Sequence, residues 1–179
     1  MSTLTFLGAS GGSGTTTLAA ISAHMLAENG MRLPALIAED FEAFSARLGT
    51  PPRGVQRSGD ELVDGGRYAT RKAAAALAQG TLVLVSALAP RGVAALDEAL
   101  AAVGAEFGGA ARERTVLVQC ESFGPPVGSP HPDAVRVPFD RALAPGGPIS
   151  LALGKVRTQN REHLWQHWLP ILREAYSVR

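Results

Sequence analysis

The chain of 179 residues has one cysteine, two lysines and few aromatic side chains, only 6%. Cys120 alone can form no internal disulfide, which excludes a disulfide-stapled scaffold. The start, Met1 to Gly8, lacks a basic stretch followed by a long apolar one, and with the lone thiol this predicts a reducing cytoplasm. No window reaches the ~20 apolar residues of a membrane span, because Gly, Pro, Arg or Asp interrupts every apolar run. Neither sign of charge is in excess: 17 Lys+Arg against 16 Asp+Glu argues against both a polycationic nucleic-acid binder and an acidic disordered tail. Lys72 and Lys155 are the lysines, so the basic character is nearly all arginine. What is present is a 46% apolar chain, long enough to bury a core as one domain over residues 1–179.

Short apolar runs alternate with alanine-rich helical stretches, the pattern of crossover units around a parallel sheet. Leu4 to Leu7 reads as a first strand, the run from Gly8 to Thr17 as a glycine loop, and Leu18 to Asn29 as a helix stopped by Gly30. Leu33 to Ala38 is a second strand that Pro34 confines to a strand start or an edge, closed by Glu39, Asp40 and Glu42. A surface loop is expected over Thr50 to Gly59, then a very short apolar run at Glu61 to Asp64 and a helix from Tyr68 to Gln79. Thr81 to Ala87 and Thr115 to Cys120 read as buried strands flanking a helix over Val93 to Val103. Gly124 to Pro132 is a Pro/Gly loop, and Ala134 to Pro138 a last short strand. A final helix from about Gln159 to Ser177 is bent or restarted at Pro170.

A glycine-rich turn between a strand and a helix lets backbone amides converge on an anion at the positive helix end. The dinucleotide pattern G-x-G-x-x-G, tried from Gly12, puts Thr17 at its third glycine and finds no well-placed acid about 20 residues on. The P-loop pattern fits better, with Gly14 as its second glycine and Thr16 as the magnesium-binding hydroxyl. Thr15, however, stands where that pattern has lysine.

Ser10-Gly11-Gly12-Ser13-Gly14-Thr15-Thr16-Thr17 resembles the deviant Walker A loop, KGGxGKTT, of the ParA/MinD partitioning and positioning ATPases. The acidic end of the second strand resembles that family's first switch, and Asp64-Gly65-Gly66 its Walker B aspartate with the second switch. Val137-Pro138-Phe139-Asp140 followed by Ala144-Pro145-Gly146-Gly147-Pro148 resembles the late segment that lines the base pocket. The resemblance spans most of the chain. It implies a three-layer, P-loop NTPase-like α/β fold with a mostly parallel sheet. It also implies ATP and Mg²⁺ as ligands, with Gly11, Gly12, Ser13, Gly14 and Thr15 wrapping the phosphates and Thr17 also among the nucleotide-binding residues. Thr16 would ligate the metal, and Asp64 would hold it through water. One of Glu39, Asp40 or Glu42 would orient the attacking water, and Asp40 fits both registers of the switch pattern.

Both lysines of the family loop are missing here: Ser10 stands where one reaches the partner's phosphates, and Thr15 where the other neutralises phosphates in its own subunit. A charge-assisted hydrogen bond contributes roughly 1.5 to 3 kcal/mol, so losing the second alone weakens binding about ten- to a hundredfold. Helix-end attraction, at most about 2 kcal/mol, offsets part of that. The resulting expectation is weak ATP/Mg binding with slow hydrolysis at most, in which nucleotide state controls self-association or a protein partner. Arg53, Arg57 and Arg67 are local candidates for a substitute cation. The alternative is a pseudo-ATPase, the fold kept as an interaction module; a dinucleotide-dependent oxidoreductase has only the loose glycine spacing behind it. ATP and GTP are not separated, because the family's base-reading asparagine has no counterpart at Gln119 to Glu121.

Blander readings compete at each position. Asp64 before two glycines can simply end a strand, and Asp40 can be a solvated acid. His163 and His167, four apart, have no third ligand in sequence view and read as an exposed helix face. Cys120 reads as a small buried thiol. Packing onto the sheet accounts better for Trp165 and Trp168 than does membrane attachment, given Pro170 and scattered basic residues. Non-specific DNA contact through Arg53 to Arg71 is not favoured, because Asp60, Glu61 and Asp64 dilute its charge.

Overall fold

A computed structural model describes residues 1–51, 56–121, 129–144 and 146–176. Arg53, Pro145, Ser177 and most of the Pro/Gly stretch after Phe123 lie outside the described residues. The described chain is a three-layer α/β fold of the P-loop NTPase-like kind. Six strands form one sheet in the order β2-β3-β1-β4-β5-β6, and every pairing is parallel. The strands are β1 (Thr3–Gly8), β2 (Leu33–Ala38), β3 (Arg57–Arg67), β4 (Gly80–Ala87), β5 (Thr115–Cys120) and β6 (Val135–Val137). Between and after them run α1 (Thr15–Glu28), α2 (Phe41–Leu48), α3 (Thr70–Gln79), α4 (Pro90–Phe107) and α5 (Gly109–Glu113). They are followed by α6 (Ile149–Ala152), a 3-10 turn at Leu153–Lys155, α7 (Thr158–His167) and α8 (Leu169–Tyr176).

Central strands covered on both faces need apolar residues at consecutive positions, since neighbouring side chains point to opposite sides. Accordingly β1 is buried throughout. Leu4, Phe6, Val83, Val85 and Val118 face one core, shared with α1, α2, α7 and α8. Leu7, Leu82, Leu84 and Leu117 face the other, shared with α3, α4 and α5. Trp168, fully buried, meets Phe6 edge to face with ring centres 6.0 Å apart, and its Nε1 donates to Ser22 Oγ at 2.8 Å. The Trp168→Ala change would cost about 3–5 kcal/mol. The terminal helix does break at Pro170, which occupies the second position of α8, where a missing N–H costs nothing. Half-buried Trp165 lies outside this contact, with the Arg161 guanidinium 5.0 Å from its ring centre.

Two elements differ from the sequence reading. Residues 43–48, given no element from the sequence, belong to α2, which begins directly after the acids, with Asp40 as its cap accepting from Ala43 N at 2.9 Å and Phe44 and Leu48 buried. β3 runs for 11 residues rather than four. Only Leu62 and Asp64 of it are buried, so its length comes from backbone pairing with β1 and β2 and not from apolar side chains. No helix among the described residues is long and apolar enough to cross a membrane.

Candidate functional site

The site is built at the carboxyl ends of the parallel strands, where an open α/β sheet places its crevice. After β1 the backbone turns through Gly12 (φ 69°) and Gly14 (φ 87°), conformations that favour glycine, and enters α1. Gly14 precedes the helix without a side-chain cap, and no acid lies in the first turn, so the opening amides of α1 are left for an anion. Below the turn, Ser13 Oγ and Thr15 Oγ1 lie 2.7 Å apart and are hydrogen-bonded. A Cβ on Gly8 would stand 2.5 Å from the first hydroxyl and 2.7 Å from the second, so these two side chains occupy the space above Gly8. At the lysine position of the P-loop pattern, therefore, a neutral hydroxyl is used inside the loop.

Asp64 ends the buried part of β3 beside this loop and is 5% exposed. Its carboxylate accepts from Gly66 N at 3.3 Å, and the Thr16 side chain is close enough to lower its pKa. Burial raises its pKa above the ordinary carboxylate range. The Thr16 and Gly66 donors pull it back, and the negative charges of Glu39 and Asp40 push it up further. Thr16 and Asp64, expected as the metal pair, lie near each other, and a buried carboxylate with few donors beside a hydroxyl is a donor set suited to a hard divalent cation. Glu39 extends over Gly66, whose positive φ (67°) and missing Cβ make room for its carboxylate. Lys72, from α3, ties this corner together, donating to Glu39 Oε2 at 2.6 Å, Gly65 O at 2.8 Å and Arg67 O at 3.2 Å.

The opposite wall comes from the segment after β5. A cavity of about 620 Å³ is lined by Ser10 to Leu18 on one side and by Cys120, Glu121 and Val137 to Asp140 on the other, with Leu143, Ala144 and Gly146 above. That volume lies within the usual range for a small-molecule or cofactor pocket. Asp140, also buried, is held by Ala142 N, Arg157 N and Asn160 Nδ2, each at 2.9 Å, and by the Arg157 side chain. Burial alone would raise its pKa; these donors outweigh burial and hold it below the ordinary value. Glu121 pairs with Arg136 and accepts from Phe139 N at 3.1 Å, which fixes the bend of that wall.

Gly11 to Thr17 come together with the Val137 to Asp140 segment around one cavity; Asp64 is not among its lining residues and adjoins them only through Thr16. Asp40 caps α2 from an exposed position and does not contribute to the lining. Arg67 pairs with Gly8 and lines the cavity, whereas Arg57 lies ten residues away at the other end of β3, roughly 30 Å distant at a strand rise of about 3.3 Å per residue. Arg57 is therefore no substitute cation for this site. His163 and His167 stack at 4.4 Å, His163 Nε2 sits 2.9 Å from Arg136 O, and no group of three metal-ligating side chains occurs among the described residues. Burial pushes the Cys120 thiol up to about 12, which leaves it inert at neutral pH.

Arg47 was not anticipated. It lines the cavity from α2 and is buried, with its pKa lowered by that burial. Its only sequence signal is the place it takes beside Phe44 and Leu48 on the inner face of a helix that the reading missed. No protein-family model matches the chain, and no curated protein matches it in sequence.

Proposed function

We propose that this chain is a small ParA/MinD-like nucleotide-binding protein of the cytoplasm. It binds ATP with Mg²⁺ weakly, hydrolyses it slowly at most, and uses the segments around Asp40 and Asp64 to control self-association or a protein partner. The observation that carries the reading is the nearness of Thr16 to the buried Asp64, at a glycine loop that lines a cavity of cofactor size. The residues present fit the ligand. The opening amides of α1 have no side-chain cap at Gly14, Asp64 is short of donors, and the half-apolar wall from Val137 to Phe139 suits a planar base. The late segment of the resemblance thereby gains the same cavity as the loop.

In this reading the amides from Gly11 to Thr15 bind the phosphates, Thr17 closes the loop, and Thr16 and Asp64 hold the cation. Bound Mg²⁺ supplies positive charge to the terminal phosphates. Water orientation falls to Asp40 or to Glu39, the latter supported by its carboxylate over Gly66. The ion pair between Lys72 and Glu39 links the ends of β2 and β3, so a ligand that draws Glu39 away also frees Gly65 and Arg67 to move, which is how a bound state could be read by a partner. Neither membrane attachment nor non-specific DNA binding is part of the proposal.

Thermal melting with and without millimolar MgATP tests it, because specific binding to the folded state raises the midpoint by mass action. The expected shift disappears in Gly14→Asp and in Thr16→Ala; a folded wild type that shows no shift ends the nucleotide reading. A second reading, a pseudo-ATPase interaction module, is favoured by the Ser13–Thr15 hydroxyl pair, which spends the lysine position on the loop's own interior.

A further inference from the structure

The sheet has two outer edges, and they are finished differently. β6 is three residues long, with Arg136 at its centre tied to Glu121. β2 has six residues, Leu33 to Ala38, with no charge among them, and of the described strands only β3 pairs with it. Natural edges are blunted by shortness or charge, and an uncharged edge is a template for another strand.

Two hydrogen bonds settle which way the backbone of β2 faces. Leu33 N donates to Gln56 O and Glu39 N to Asp64 O, each at 2.9 Å, so the odd-numbered residues address β3. Backbone groups alternate between the two sides of a strand, which turns the N–H and C=O groups of Leu36 and Ala38, and the C=O of Pro34, outward. Pro34 therefore lacks its N–H on the free side, and the ladder to β3 is whole. Side chains alternate between the two faces as well. Leu36 and Ala38 pack toward the core under α1, whereas Ile37 lies on the opposite face and is 41% exposed. On that face α3 packs against β1 and β4.

We propose that β2 pairs antiparallel with β2 of a second copy of this chain, about a two-fold axis at Leu36. In that register the Leu36 residues of both copies exchange their hydrogen bonds, and each Ala38 N–H donates to the Pro34 C=O of the other copy. No donor is asked of Pro34. Ile37 falls opposite Ala35 on the uncovered face, and Arg32 falls opposite Asp40, both of them exposed. Charge complementarity selects this occupant: the strand has a basic residue just before it and acids just after it, which meet only when two copies run in opposite directions. The edge is open with or without a ligand, so the proposal goes beyond the nucleotide reading and does not rest on it.

Sedimentation velocity on the full chain without nucleotide, over a wide range of concentration, tests it. Wild type is expected to show a reversible monomer–dimer equilibrium and no larger species, because isologous pairing closes at the dimer. Ile37→Lys puts a charge into the middle of each edge and should raise the dimer dissociation constant by about tenfold or more. Arg32→Glu turns opposite-charge contacts into like-charge ones and should raise it by about tenfold. Adding Asp40→Lys to Arg32→Glu should bring it back to within about threefold of wild type, a rescue that damage to folding would not give. Leu36→Cys, on the axis, should give a covalent dimer when treated with diamide, while Thr70→Cys, exposed on α3, should not. A wild type that stays monomeric throughout overturns the proposal, as does a dimer formed only with MgATP. So does a dimer indifferent to Ile37→Lys and Arg32→Glu, or equal cross-linking at 36 and 70. Should Ile37→Lys fail to fold by circular dichroism, Arg32→Glu and its rescue decide alone. A wild type that dimerises but shows no MgATP shift in melting supports this pairing and ends only the nucleotide reading.

Discussion

Asp64, next to the glycine loop, and Asp140, in the cavity wall after β6, are both buried, and their surroundings treat them in opposite ways. Asp140 is surrounded by donors from Ala142, Arg157 and Asn160, which hold its pKa down. Asp64 has Thr16 and a long contact from Gly66, faces Glu39 and Asp40, and has its pKa raised. Equal burial therefore says little about role. A buried carboxylate with donors to spare is part of the framework, whereas one with too few is waiting for a cation or a proton.

The largest expected effect follows from removing the well-supplied acid. Asp140→Ala leaves the Arg157 and Asn160 donors without an acceptor and should lower unfolding free energy by about 3 kcal/mol in urea titration. Asp64→Asn, by contrast, relieves crowded negative charge and should leave stability within about 1 kcal/mol of wild type, or raise it. If Asp64→Asn proves the more damaging of the two, the comparison fails. The same substitution should abolish any rise in melting temperature produced by millimolar Mg²⁺ in wild type, an effect of about 1–3 kcal/mol where the ion is well above its dissociation constant.

Asp40→Ala comes next: it removes the cap of α2 and should cost about 1 kcal/mol, with Asp140 unaffected. The smallest effect is the pH dependence, which sharpens the contrast because the signs differ. Asp64 has a folded pKa above its unfolded value, so its contribution favours folding more as pH falls from neutral toward the unfolded carboxylate value of about 4. Asp140 has a folded pKa below its unfolded value. Its stabilisation is complete above about pH 4 and is lost as pH falls through the folded value. Stability of each variant relative to wild type, followed from pH 7 to 3, should show the Asp64→Asn difference shrinking before the Asp140→Ala difference begins to change.

The sheet and the loop were legible in sequence for separate reasons. β4 and β5 announce themselves through continuous, β-branched apolar runs, and the run from Gly8 to Thr17 through glycines that a strand or helix would not tolerate. β3 was not legible over its full length, because a strand held by backbone pairing between two neighbours need not carry an apolar pattern. α2 was hidden by its own cap: Asp40 reads as a site acid before a helix is suspected, and only Phe44 and Leu48 mark the inner face. Arg47 was hidden with α2, whereas α3 was read from the sequence and only the role of Lys72 was not. The bonds of Arg47 to Thr17, Leu143 and Gly147 and of Lys72 to Glu39 are made across the sequence by folding and are visible in no local spacing. That Thr16 and Asp64 should lie near each other was expected from the family resemblance alone.

The place of β1 between β3 and β4 also governs how the chain must be born. Within this chain β1 is made before both of its neighbours and cannot gain both until Ala87 has emerged, and Leu7, whose cover comes from α3 and α4, stays bare in the meantime. Nascent fragments that stop short of Gly80 would expose one sticky edge to every other copy, and a chaperone that shields β1 would be most useful during that interval.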